Sequence, residues 1–315
     1  METGSFTITP SGPFSLAAAA AFGFGQRGGQ DRDGLMRLAF CLDGYQQQVG
    51  VELRQDGEDG AGEGEVRATV SAAAGTDMEC VRGQVSRVLS LDYDGAGFVL
   101  AGQRDPVLGR LQAAAPGLRP PLFYSPYEAA AWSVLSARRP AAQMMQVRDQ
   151  LSRAHGTVFD IAGQQVPAFP TPARLLGIDS FPGLPDVKMK RLHGVAAAAL
   201  DGRLDAVQLM ELGPERAAAE LRSLDGIGPF YSALIVIRGT GFADVLPVSE
   251  PKVLALTARL YDLAEPPSPA QFAAIAEPWQ PFRTWATVLI RAAGPLILGA
   301  APDGGIRAEA PAQER

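Results

Sequence analysis

The residues best suited to chemistry cluster between Leu221 and Lys252. The run Leu221-Arg222-Ser223-Leu224-Asp225-Gly226-Ile227-Gly228-Pro229-Phe230-Tyr231-Ser232-Ala233 reads as one helix ending, a tight turn, and a second helix beginning. Glycine tolerates positive φ and lets another backbone come close. The first turn of the second helix presents unpaired N–H groups, and its dipole adds to their attraction for an anion such as a phosphate. A hairpin of this kind grips a nucleic-acid backbone without reading sequence. The same Gly-x-Gly spacing also suits a plain helix-turn-helix corner, and by itself it does not decide between the two. Further on, Asp244-Val245-Leu246-Pro247-Val248-Ser249-Glu250 leads into a helix opening at Pro251. Glu250 is placed either to act as a carboxylate or to favour that helix start, with Ser249 as its cap and Pro251 in its first turn.

Other chemistries find little support. Two cysteines, Cys41 and Cys80, fall short of the four thiolates that an iron–sulfur cluster takes, and they suit a reducing compartment. Two histidines, His155 and His193, leave little for a zinc site and read as surface or packing residues. No stretch approaches 18 uninterrupted apolar residues, so no membrane span is expected. The start, Met1 to Ala21, lacks the basic segment of a signal peptide, and a cytoplasmic, nucleoid-associated location is expected. The net charge of −6 does not advertise nucleic-acid binding. It is unevenly spread, however: residues 1–120 hold 10 basic and 15 acidic side chains, while 121–300 hold 16 of each. The acidity therefore lies outside the segment that carries the hairpin.

The elements that must position these residues fall into two groups. Over 1–112 the pattern is a small α/β layer. Phe6 to Thr9, Leu35 to Phe40, Gln48 to Leu53 and Val66 to Val70 read as strands, and Ala17 to Ala21 and Glu79 to Leu89 as helices. Asp56 to Gly64 reads as an acidic, glycine-rich mobile loop. Over 113–300 the pattern is helical, predicting helices at Tyr127–Leu135, Ala141–His155, Thr171–Leu176, Val187–Leu200, Leu204–Leu209, Pro214–Leu224, Pro229–Arg238, Pro251–Tyr261 and Trp279–Ala293. Residues 301–315 read as a disordered tail.

Taken together, these motifs resemble the helix-hairpin-helix DNA glycosylases, in the 3-methyladenine DNA glycosylase II family. The likeness rests on Gly226-Ile227-Gly228, Ile237-Arg238-Gly239, and Asp244 with Pro247 and Glu250. It extends to Pro116-Gly117-Leu118-Arg119 with Pro121, Tyr127-Glu128, Phe169-Pro170-Thr171-Pro172, Lys190-Arg191 with Ala196 to Leu200, and Trp279-Gln280-Pro281-Phe282-Arg283-Thr284. Pro13-Phe14 is compatible with the family's strand-rich N-terminal region, so the resemblance covers roughly 6–300. It implies an α+β fold, with an antiparallel-sheet domain and helices followed by a two-lobed all-α core. It implies a monofunctional enzyme that flips a damaged base from duplex DNA and cuts its N-glycosidic bond in base excision repair, with alkylated purines as substrates. Rival readings are a damage-recognising DNA-binding protein with little or no activity, and a glycosylase for another lesion.

The resemblance also assigns roles. Glu250 stands where the family has its catalytic aspartate, which balances the positive charge that the sugar gains as the base leaves. Phe230 stands where enzymes that also nick the backbone carry a Schiff-base lysine, so lyase activity is not expected. Phe230, Tyr231, Tyr127, Trp132, Trp279 and Trp285 are candidates for a base pocket that attracts a cationic purine by cation–π contact. In Leu135-Ser136-Ala137-Arg138-Arg139-Pro140, Arg138 holds the position that plugs the gap left by the flipped base, and Ala137 replaces the usual glutamine. Gly226, Ile227 and Gly228 would contact DNA, with Lys188, Lys190, Arg191, Arg222, Lys252 and Arg283 as further phosphate candidates. The backbone carbonyls of Arg222, Leu224 and Ile227 would hold a structural monovalent cation. No other cofactor is implied, and a monomer is expected.

Overall fold

A computed structural model describes residues 1–22, 34–56 and 64–299. The expected acidic loop lies almost wholly outside them, and the expected disordered tail lies wholly outside. The chain opens with β1 (Glu2–Ile8), α1 (Leu16–Phe22), β2 (Met36–Cys41), β3 (Gln48–Gln55), β4 (Val66–Ala72) and α2 (Met78–Val88). The strands form an antiparallel sheet in the order β1-β4-β3-β2. β4 alternates buried and exposed residues, with Val66, Ala68, Val70 and Ala72 inward, so only one of its faces is solvated. β2 is buried throughout. Its outer face is covered by a hairpin of β5 (Val158–Ile161) and β6 (Gln164–Pro167), which lies between α6 (Ala141–His155) and α7 (Pro172–Leu176). Ala39, Phe159, Ile161 and Ala168 form that contact. Gly50 in β3 permits it, because a Cβ there would stand 2.7 Å from the Phe159 ring.

Two helical cores follow. The first surrounds α5 (Pro126–Ser136), every residue of which is buried. Ser125 caps α5 by accepting from the Glu128 N–H. Around it pack α6, α8 (Asp186–Leu200), α9 (Ala206–Leu212), α10 (Pro214–Arg222) and α11 (Pro229–Ile235), and α11 runs on as a turn of π-helix over Val236–Thr240. The second core joins α12 (Pro251–Leu260), α13 (Pro269–Ile275) and α14 (Arg283–Ile297) to two earlier helices, α3 (Gly95–Arg104) and α4 (Pro106–Ala114). Phe98, Ala101, Leu108 and Leu111 of α3 and α4 share this core with Trp285 and Leu289 of α14. The packing therefore does not divide at residue 112. The segment 95–114 turns its apolar face to the C-terminal helices, away from the sheet.

The architecture is α+β, an antiparallel sheet region followed by a two-lobed helical core. No helix among the described residues is long and apolar enough to cross a membrane.

Candidate functional site

The hairpin joins α10 to α11. Gly226 has φ +90°, the left-handed region that glycine enters without strain, and a Cβ there would meet Arg191 Cδ at 2.8 Å. Gly228 is different. It is exposed, takes an extended conformation at φ −86°, and would place a Cβ in open space. The first glycine thus makes the turn, while the second keeps the mouth of α11 clear. Ile227 and Leu224 are buried beneath the turn, and the Ile227 N–H donates to the Leu224 carbonyl at 3.0 Å. Arg222 ends α10 with its side chain exposed. Arg191 of α8 lies beneath the turn, its Nε 3.3 Å from Asp225 Oδ2 but outside hydrogen-bond geometry.

α11 brings Phe230 and Tyr231 to the first lobe. Their rings meet edge to face, centroids 5.3 Å apart. Phe230 is half-buried. Tyr231 is buried, and its hydroxyl faces Ser136 at the end of α5 without a hydrogen bond of normal geometry. Burial pushes this phenol above its ordinary range.

The other four predicted pocket aromatics are core side chains. Tyr127 is fully buried in the first lobe, where its hydroxyl donates to the Pro170 carbonyl at 2.8 Å, and Trp132 lies one turn and a half along the same buried helix. Trp279 and Trp285 lie in the second core. Trp279 Nε1 donates to Asp105 Oδ2 at 2.7 Å, and Trp285 packs among Tyr93, Phe98 and Phe282. Large rings bury the most apolar surface, and here that pull places them inside the lobes.

Glu250 is held from two sides. Its Oε2 accepts from the Val253 N–H at 2.7 Å, so Glu250 itself caps α12, with Pro251 first in the helix. The expected cap, Ser249, is exposed and is not the capping residue. The other oxygen, Oε1, accepts from Arg291 Nη1 at 2.9 Å. The Glu250 side chain retains 22% of its exposure, so it is fixed yet within reach of solvent. Arg291 was not singled out by the sequence reading. Its signal is a lone charge in the apolar run Trp285-Ala286-Thr287-Val288-Leu289-Ile290-Arg291, where a buried cation needs a partner.

The basic residues separate into exposed and committed groups. Arg138 is exposed at the turn between α5 and α6, in the left-handed region at φ +56°. Lys190 and Arg222 are exposed, and Lys252 sits half-buried in the first turn of α12. Arg283 is committed: its Nε and Nη2 bind the two carboxylate oxygens of Asp244 at 2.7 and 2.9 Å. That pair clamps the 244 segment to the start of α14. Lys188 is turned inward, its ammonium donating to the carbonyls of Val134, Leu135 and Ala137 at 2.6, 2.6 and 3.0 Å. It is therefore corrected from a phosphate contact to an internal one.

No protein-family model matches the chain. Among curated proteins it is 28% identical over 217 residues to a Mycobacterium tuberculosis protein named "Probable bifunctional transcriptional activator/DNA repair enzyme AlkA", covering 67% of this chain and 42% of that one. It is 29% identical over 187 residues to DNA-3-methyladenine glycosylase 2 of Escherichia coli, covering 58% and 63% of the two chains. It is 24% identical over 202 residues to the DNA-3-methyladenine glycosylase of Bacillus subtilis, covering 62% and 66%. The match thus spans under half of the mycobacterial relative and about two-thirds of the other two. Among solved structures, the fold is similar to a 3-methyladenine DNA glycosylase from Archaeoglobus fulgidus, at TM-score 0.70 and 20% identity over 90% of this chain and 96% of that one. It is similar also to MBOgg1 solved with a low-affinity DNA ligand, at TM-score 0.69 and 17% identity over 94% and 99%. The glycine hairpin and the α+β architecture agree with these likenesses: the chain is similar in sequence to proteins named DNA-3-methyladenine glycosylase, and its fold is that of the solved Archaeoglobus fulgidus 3-methyladenine DNA glycosylase.

Proposed function

We propose that the protein is a monofunctional DNA glycosylase that excises alkylated purines from duplex DNA. The observation that carries this reading is Glu250: a carboxylate fixed by the Val253 N–H and Arg291, partly open to solvent, in a chain whose relatives are named for 3-methyladenine. As the glycosidic bond breaks, the sugar becomes cationic, and a preorganised anion stabilises that state and orients the attacking water. The hairpin at Gly226-Ile227-Gly228 holds the DNA backbone, Arg138 enters the gap left by the flipped base, and Phe230 and Tyr231 offer rings to the extruded purine. The carbonyls of Arg222, Leu224 and Ile227 suit a monovalent cation. The Leu224 oxygen accepts one N–H and keeps a second lone pair for it. The expected location is cytoplasmic, on the nucleoid.

The test is base release from methylated duplex DNA by the purified protein. The products should be intact strands with abasic sites that break only in alkali, because Phe230 offers no amine to the sugar. A borohydride-trapped protein–DNA adduct counts against the monofunctional assignment. One observation favours a second reading, a damage-binding protein without activity: Arg291 already neutralises the Glu250 oxygen that the cap leaves available. That reading holds if no lesion of a panel is released while duplex with an abasic analogue is still bound.

A further inference from the structure

The last turn of α5 and the residues after it carry Arg138. Helix C-termini leave carbonyls without intrahelical partners, and they commonly end on a glycine in the left-handed conformation. Here the left-handed residue is Arg138 itself, at φ +56° and exposed, while Ala137 N–H donates to Ser133 O and Arg139 N–H to Ser136 O. The loose carbonyls of Val134, Leu135 and Ala137 converge on one donor, the buried Lys188 ammonium in the first turn of α8. An ammonium has three protons, and all three are used. One turn further along α8, Arg191 lies against Gly226 and Asp225 of the hairpin. A single helix therefore touches both the Arg138 turn and the hairpin.

Resting on the proposed grip on duplex DNA, we propose that Lys188 is a positioning residue that holds Arg138 in its exposed, left-handed pose, and that α8 sets the Arg138 turn and the Gly226 hairpin at a fixed separation. Lys188 touches no DNA; it acts through the three carbonyls. The lesion-gap contact and the backbone contact then arrive on the duplex as one rigid unit, which suits an enzyme that must unstack a base while holding the strands. Burial first, and then the like charges of the flanking Arg139 and Arg191, depress the proton affinity of the ammonium. Their repulsion is tolerated because the carbonyls absorb the charge.

The test has one arm without DNA and one with it. Trypsin cuts between Arg138 and Arg139 only if the turn can open, since Pro140 blocks the next bond. Lys188→Met should raise that cleavage on the order of tenfold, whereas Lys188→Arg, which keeps a buried cation, should restore most of the protection. In the second arm, a duplex containing 2-aminopurine reports base unstacking by its emission. Arg138→Ala and Lys188→Met should each lose most of the emission gained on binding, and the double variant should lose no more, because residues acting as one unit are not additive. Affinity of Lys188→Met for undamaged duplex should stay within about threefold, the hairpin being intact. Unchanged trypsin cleavage overturns the clamp. Multiplying losses in the double variant, or equal emission from Arg138→Ala and the unaltered protein, overturns the positioning role. Neither arm requires turnover, so a protein that passes both and releases no base refutes the glycosylase activity and leaves this inference standing.

Discussion

Glu250 carries one methylene more than the aspartate that the resemblance implies at its position, and the structure shows where that length goes. One oxygen reaches back to cap α12, and the other meets Arg291. Glu250→Gln should abolish base release while binding to abasic duplex stays intact or tightens. The amide still accepts from Val253 but cannot balance the sugar's charge; release at the normal rate refutes the carboxylate's role. Arg291→Met should be milder in character. It leaves the charge but removes one of its two restraints, and a reacting group displaced by about 1 Å loses on the order of 100-fold. Single-turnover base release should therefore fall by roughly tenfold to 100-fold, with abasic-duplex affinity unchanged. A different residue gives a pH signature. Burial, with Arg139 and Arg191 alongside, pushes the Lys188 ammonium down to about 8 from its ordinary 10.5. The unfolded chain then holds a proton that the folded chain has released between those values. Stability gains with rising pH in that window and loses the gain as pH falls through 8. The melting temperature of the unaltered protein, relative to Lys188→Met, should rise from pH 7.5 to pH 10. A flat difference contradicts the shift.

The hairpin glycines, alike in sequence, differ as elements. Gly226 needs its positive φ and lies against Arg191, so Gly226→Ala should destabilise the fold by about 1 kcal/mol or more, read in denaturant midpoints. Gly228 caps α11 with open space around it, so Gly228→Asp should fold at least as well, since aspartate is a favoured cap. Yet it places a negative charge where a phosphate would sit, and duplex affinity at low salt should fall clearly. Unchanged affinity in a folded variant refutes the hairpin's role. Most elements around this hairpin were legible, because their signals are local. Ala141–His155 agrees to the residue, and α8, α10 and α12 agree within one or two. The missed elements lacked such signals. α3 contains Gly95, Gly97 and Gly102, poor helix formers, and it stands on its Asp94 cap and its packing. β5 and β6 have four residues each, too short for a period, and depend on Gly50 giving Phe159 room. The role of Lys188 was illegible for another reason: among the charges of Lys188-Met189-Lys190-Arg191 it looks solvated, and only its three carbonyl partners show it to be buried, whereas Arg291 stands out as a lone charge in an apolar run but does not name Glu250 as its partner.

At the scale of the molecule, the chain builds the sheet region, lays down α3 and α4, builds the first lobe, and returns to complete the second lobe with α12 to α14. The second lobe therefore consists of two segments that are distant in sequence. Asp105 ties them: it caps α4 through the Val107 and Leu108 N–H groups, and the same carboxylate accepts from Trp279 Nε1 and the Tyr261 hydroxyl at 2.7 and 2.5 Å. Its central place follows from a donor balance. A buried indole N–H and a half-buried phenol each need an acceptor, and a carboxylate supplies several lone pairs at once. The helical span 113–299 should consequently fail as an independent unit, although its sequence pattern reads as a complete domain. Cutting away 1–112 removes Phe98, Leu108 and Leu111 from the second core, each worth about 1.5–3 kcal/mol of burial, and orphans two polar groups. That loss is comparable to the whole stability of a typical domain. The fragment should show red-shifted tryptophan emission, from Trp279 and Trp285, and no cooperative thermal transition for the second lobe. Asp105→Ala in the full chain should lower stability in the same direction by about 2–4 kcal/mol without removing any apolar contact. A fragment 113–299 that melts cooperatively with native-like emission would show that α3 and α4 merely lean on the lobe, and the two-segment account would be wrong.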